Sequence, residues 1–137
     1  MNPKPILYVV LLAVLLAFVG LRLCKTSHAA VAAEEQAVIL KLRLLSGQMG
    51  NDEEVKRITE LEDRLANAIK QSSSGDFDGD EYGEGFCTIY MYGPSAERLF
   101  TSVQPTLKGF RAARGSYVIK RYGKPGSKQD RIKLGDD

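Results

Sequence analysis

The feature that most restricts this chain is the stretch from Pro5 to Leu21, PILYVVLLAVLLAFVGL, which holds no ionisable side chain except Tyr8 and is bounded by Arg22. If Arg22 snorkels, the apolar reach extends through Leu23 and Cys24. The result is a helix of roughly 20 residues and ~30 Å, enough to cross a bilayer. Residues 1–25 are therefore expected to form a transmembrane anchor, and the folded domain has to come from the rest of the chain. Two other readings compete. Ser27-His28-Ala29 loosely fits a signal-peptidase site, but Arg22 and Lys25 sit where a cleavage region is normally uncharged, and the apolar run is longer than a signal peptide needs. A lipoprotein signal wants small residues before its cysteine, whereas Cys24 follows Leu21-Arg22-Leu23. The balance favours a retained, single-pass anchor.

Orientation is set by the flanking bases. Lys4 precedes the apolar run, whereas Arg22 and Lys25 come directly after it. The positive-inside bias then places the C-terminal domain in the cytoplasm of a bacterial inner membrane, with the periplasm as the alternative. The two cysteines, Cys24 beside the anchor and Cys87 in an expected strand, imply no disulfide framework.

Residues 26–36 read as an Ala-rich tether ending in Glu34-Glu35, and residues 37–137 as one small domain with a single core. The net charge is only +2, so it argues neither for nor against a nucleic-acid partner. Its distribution is more informative. Asp76 to Glu84 holds five acids and no base, and Lys108 to Lys133 holds nine bases opposed by Asp130 alone.

Residues 37–45, AVILKLRLL, alternate, with Val38, Leu40, Leu42 and Leu44 on one side and Ile39, Lys41 and Arg43 on the other. That is the pattern of a half-buried strand. Asn51 then offers a helix cap with Glu54 three residues on, before the stripe Val55, Ile58, Leu61, Leu65 and Ile69. Three acid-before-base pairs, Asp52–Lys56, Glu53–Arg57 and Glu60–Arg64, would each support the exposed side by a few tenths of a kcal/mol. DFDGDEYGEG reads as a polar strand entering a glycine turn, and Phe86 to Tyr92 as a second strand of that hairpin. Pro94 suits the first turn of a second helix with stripe Ala96, Leu99, Phe100, Val103, Leu107 and Phe110, and Pro105 should kink or stop it. Ser116 to Tyr122 is another strand, and Arg131 to Leu134 can add a short edge strand. The order β-α-β-β-α-β over residues 37–134 resembles the ferredoxin-like sandwich, an α+β fold with one antiparallel sheet and two helices on one side. The resemblance is one of element order and carries no function.

The side of the sheet turned away from the helices holds the candidate site. If Cys87, Ile89 and Met91 point inward, then Lys41, Arg43, Phe86, Thr88, Tyr90 and Tyr92 point outward. Val118, Lys120 and Tyr122 join them if Tyr117 and Ile119 point inward. The expected partner-binding set is Lys41, Arg43, Phe86, Tyr90, Tyr92, Lys120 and Tyr122. Interleaved bases and rings on an open sheet are how RNA-recognition motif domains stack single strands. The string EGFCTIYM is similar to that family's glycine–aromatic strand motif at Gly85, Phe86 and Ile89. It departs with Glu84, Thr88 and Met91 where a base and aromatics are expected, and the first strand has no ring.

Catalytic and cofactor patterns are absent from the sequence. The acidic string from Asp76 lacks the sixth-position glycine and twelfth-position glutamate of a calcium loop, having Glu81 and Cys87 there. His28, the only histidine, lies beside the membrane and far in sequence from Cys87. No zinc spacing or phosphate loop occurs. The chain is expected to be no enzyme, with no cofactor or metal. It should be a membrane-anchored module that binds another protein, an immunity-type protein being one version of that class. The alternatives are a membrane-tethered single-stranded nucleic-acid binder and a module that self-associates.

Overall fold

The computed structural model describes residues 34–135, so the expected anchor at 1–25, Cys24 and His28 lie outside the described residues. Among the described residues no helix is long and apolar enough to cross a membrane. The elements are β1 (Gln36–Arg43), α1 (Asp52–Ser72), β2 (Asp76–Gly83), β3 (Phe86–Gly93), α2 (Ala96–Lys108), β4 (Tyr117–Arg121) and β5 (Gln129–Lys133). The strands form one sheet in the order β2-β3-β1-β4-β5, every neighbouring pair antiparallel. This is an α+β arrangement of five strands and two helices. The short fifth strand exists and forms one outer edge of the sheet. β1 starts at Gln36, inside the segment expected to be tether.

The expected core assembles from both helix stripes and one side of the sheet. Leu40 lies opposite Ile89 on one flank and Val118 on the other, and all three are fully buried. Val38, Leu42, Cys87 and Met91 share that side, and Leu61, Leu65, Leu99 and Val103 cover it from the helices. Each fully buried apolar side chain contributes on the order of 1.5–3 kcal/mol by leaving water. Val55 is the exception in the first stripe, at 36% exposure, because it falls in the first helical turn, ahead of the buried stripe that begins at Ile58.

Asn51 caps α1 as expected, its Oδ1 accepting from the Glu54 N–H at 2.9 Å. The Glu54 carboxylate accepts from the backbone N–H groups of Leu45 (2.7 Å) and Ser46 (2.9 Å), tying the loop after β1 to the helix start, and the Asn51 backbone N–H also stabilises its ionised form. Partial burial opposes the ionised form of Glu54, but these donors outweigh it and hold the carboxyl below its ordinary pKa. None of the three expected i,i+4 pairs forms an ion pair; Arg57 instead donates to the Arg111 carbonyl, and Arg64 to that of Glu60. Exposed pairs of this kind gain little over hydration.

The second helix is capped by Ser95, so Pro94 lies just outside the helix rather than in its first turn. Pro105 does not stop the helix, which runs to Lys108; Phe110 packs against the core from beyond its end. Gly75 and Gly93 are sterically required where the chain leaving α1 passes the end of β3. A Cβ on Gly75 would lie 2.0 Å from the Tyr92 carbonyl oxygen, and one on Gly93 would lie 2.5 Å from that of Ser74. The β2–β3 hairpin turns on Glu84 and Gly85 alone, at φ 55° and 78°, a turn that matches the sheet's natural twist.

Candidate functional site

Register decides which side chains the open side of the sheet presents, because residues directly opposite in an antiparallel ladder project to the same side. β1 and β3 behave as expected. Lys41 faces Thr88, and Arg43 faces Phe86, away from the helices. Tyr90 and Tyr92 lie farther along the same row. Thr88 also points that way but is only 4% exposed.

β4 has the opposite parity from the one expected. Val118 pairs with Leu40, and Lys120 with Val38, so both lie on the helix side. Lys120 and Tyr122 are therefore not part of the open face. Lys120 Nζ sits 2.6 Å from Glu97 Oε1 on α2, and Tyr122 Oη donates to Glu97 (2.5 Å) or to Asp130 (2.7 Å). Hydrogen bonding to Glu97 raises the Lys120 pKa. The Glu97 and Asp130 acceptors push the Tyr122 phenol to about 12. These two residues clamp the sheet's end to α2. The sequence SYVIKRY has apolar or amphipathic residues at both parities, so alternation alone could not choose between them.

With β4 reversed, Tyr117, Ile119 and Arg121 replace Lys120 and Tyr122 on the open side, and β5 adds Gln129, Arg131 and Lys133 opposite them. Five cations (Lys41, Arg43, Arg121, Arg131 and Lys133) thus share one side of three adjacent strands. Among the described residues none lies within ion-pair distance of a carboxylate. Two rings sit among them. Phe86 and Tyr117 meet edge to face, centroids 6.2 Å apart at 70°. Lys41 Nζ and Arg43 Cζ lie over the Phe86 ring at 5.5 and 5.2 Å, and Arg131 Cζ lies 3.5 Å from the Tyr117 centroid. Such stacking fixes the direction of the charged groups while leaving them unneutralised. It also occupies ring faces that a stacked base would need. The other end of the open side is acidic: Glu81 and Asp76 project beside Tyr90 and Tyr92, and the Tyr90 hydroxyl donates to Glu81, which raises its pKa to about 12.

A second polar group lies on the helix side. Glu62 of α1, Asp80 of β2 and Cys87 of β3 bring their ligand atoms within 4.8 Å of one another. Cys87 is fully buried, and burial pushes its thiol to about 12. Glu62 Oε1 is buried without a hydrogen-bond partner; burial, then the nearby charges of Asp80 and Asp63, raise its pKa to about 7. A metal ion here would have to displace protons from both groups. No sequence signal marks this cluster, since its members come from three elements at unrelated spacings.

Comparison of the chain with protein-family models, with curated proteins and with solved structures finds no match.

Proposed function

We propose that the chain is a single-pass, membrane-anchored interaction module without catalytic activity, and that the basic half of its open sheet face holds an acidic protein partner. Five unneutralised cations on three adjacent strands, around two rings that hold three of them in place, carry this reading. Such a surface steers an acidic partner at long range and desolvates against it at contact. The strand order and helix number support a ferredoxin-like sandwich as the scaffold. The apolar N-terminal run supports an anchor in a bacterial inner membrane, with its flanking bases favouring a cytoplasmic domain.

The test is affinity recovery of the full chain, after cross-linking, from its native membrane with and without nuclease. A defined protein partner should be recovered from either sample and lost with Arg43→Ala plus Arg131→Ala. Recovery that nuclease abolishes would replace this reading with single-stranded nucleic-acid binding, and recovery unaffected by the double substitution would move the site off this face.

A further inference from the structure

The strand order leaves β2 and β5 as the two outer edges of the sheet, and those edges carry opposite charge. β2 bears Asp76, Asp78, Asp80 and Glu81 with no base. β5 bears Arg131 and Lys133 against Asp130, and Lys128 precedes it. Neither strand pairs on its outer side among the described residues, so each presents a row of free backbone N–H and C=O groups.

From these edges we infer that copies of this chain assemble head to tail, with β2 of one copy pairing with β5 of the next to continue the sheet. Four antiparallel steps separate β2 from β5, so the two strands run in the same direction. Pairing with the open sides aligned is therefore parallel. In that arrangement Asp76 and Glu81 of one copy lie on the same side of the joined sheet as Arg131 and Lys133 of its neighbour. The closed alternatives are penalised. A two-fold dimer through β2 sets acids against acids, and one through β5 sets bases against bases. Charged edges commonly guard a sheet against pairing; here the guard acts only between like edges. The shift in register between Phe77 and Gly79 leaves five regular residues at the end of β2 that carries Glu81, the length of β5, with Asp76 just before the shift. Arg131 and Lys133 belong both to this edge and to the basic half of the open face, whereas Asp76 and Glu81 lie outside that half, so the Asp76→Lys, Glu81→Lys variant tests the assembly apart from the acidic partner.

Sedimentation of the full-length protein in neutral detergent, at roughly 0.01 M and 1 M salt, tests it. The expected result is a mass that rises with concentration beyond that of a dimer at low salt and falls back at high salt. Arg131→Glu with Lys133→Glu makes both edges acidic, and Asp76→Lys with Glu81→Lys puts two bases on the open side of β2, as on that of β5. Each variant alone should lose the assembly, and an equimolar mixture should regain it, because every contact between unlike variants then joins acids to bases on the open side. A wild-type protein that stays monomeric at low salt or stops at a dimer overturns the inference. So does a reversed variant that assembles alone, or a mixture that fails to recover.

Discussion

The two sides of this sheet use the same strands for opposite purposes. On the helix side, Val38, Leu40, Ile89, Met91 and Val118 are fully buried under Leu61, Leu65, Leu99 and Val103. On the open side, the same strands carry Lys41, Arg43, Phe86 and Tyr117, whose cations lack carboxylate partners among the described residues. Packing determines the first side and electrostatics the second. Substitutions should therefore separate the two, with folding energy lost from one and recognition from the other.

The largest effects should come from the packed side. Leu99→Ala, Leu61→Ala and Ile89→Ala should each cost ~2–5 kcal/mol, since each leaves a cavity among fully buried neighbours. Urea denaturation of a fragment from Glu34 onward measures this and should show one cooperative transition. Midpoints that barely move would break the distinction between the sides. Gly75→Ala should come next at ~1–3 kcal/mol, because its new Cβ meets backbone 2.0 Å away and the chain crossing must open. Asn51→Ala should cost about 1 kcal/mol through loss of the cap on α1.

A subtler effect should appear at Glu62, where a carboxyl intrudes on the packed side. Its folded pKa is raised from 4.5 to about 7, so the native state holds a proton that the unfolded chain has released. The resulting stabilisation is full below about 4.5 and is lost as pH rises through about 7. Glu62→Gln should remove that slope and stabilise the domain above pH 7 by about 1 kcal/mol at most, because the side chain is partly solvated. The comparison to make is the wild-type-minus-variant difference in urea midpoint across pH 4 to 8, which isolates this group. A difference independent of pH would show that Glu62 is ionised in the fold.

The packed side was largely legible in the sequence, and the open side only in part. β1 alternates cleanly, and its four core residues emerge on the side expected. β3 also holds to its alternation, because Cys87, Ile89 and Met91 interrupt a row of bulkier polar and aromatic residues. β4 does not alternate in any useful sense. Tyr117 and Ile119 are as apolar as Val118 and Tyr122, and parity was settled by Val118 meeting Leu40 across the ladder. A one-residue slip exchanges every side chain, so Lys120 and Tyr122 moved to the helix side while Tyr117 and Arg121 took their places. Arg131 and Lys133 depend on a pairing that neither residue announces. The Glu62–Asp80–Cys87 cluster could not be found from spacing, since it exists only once α1 lies across β2 and β3. Side-chain ion pairs were the least legible feature: Arg57 and Arg64 chose backbone carbonyls over the acids four residues away.

The separation of the two sides is tested most directly by Arg43→Glu combined with Arg131→Glu. Both side chains lie on the open face, over the Phe86 and Tyr117 rings, and neither makes a hydrogen bond or ion pair through its side chain among the described residues. The urea midpoint of the double variant should stay within ~0.5 kcal/mol of wild type, as for ordinary surface changes. Recovery of the acidic partner from the native membrane should fall to background. A loss of stability approaching that of Ile89→Ala, or undiminished recovery of the partner, would contradict the account.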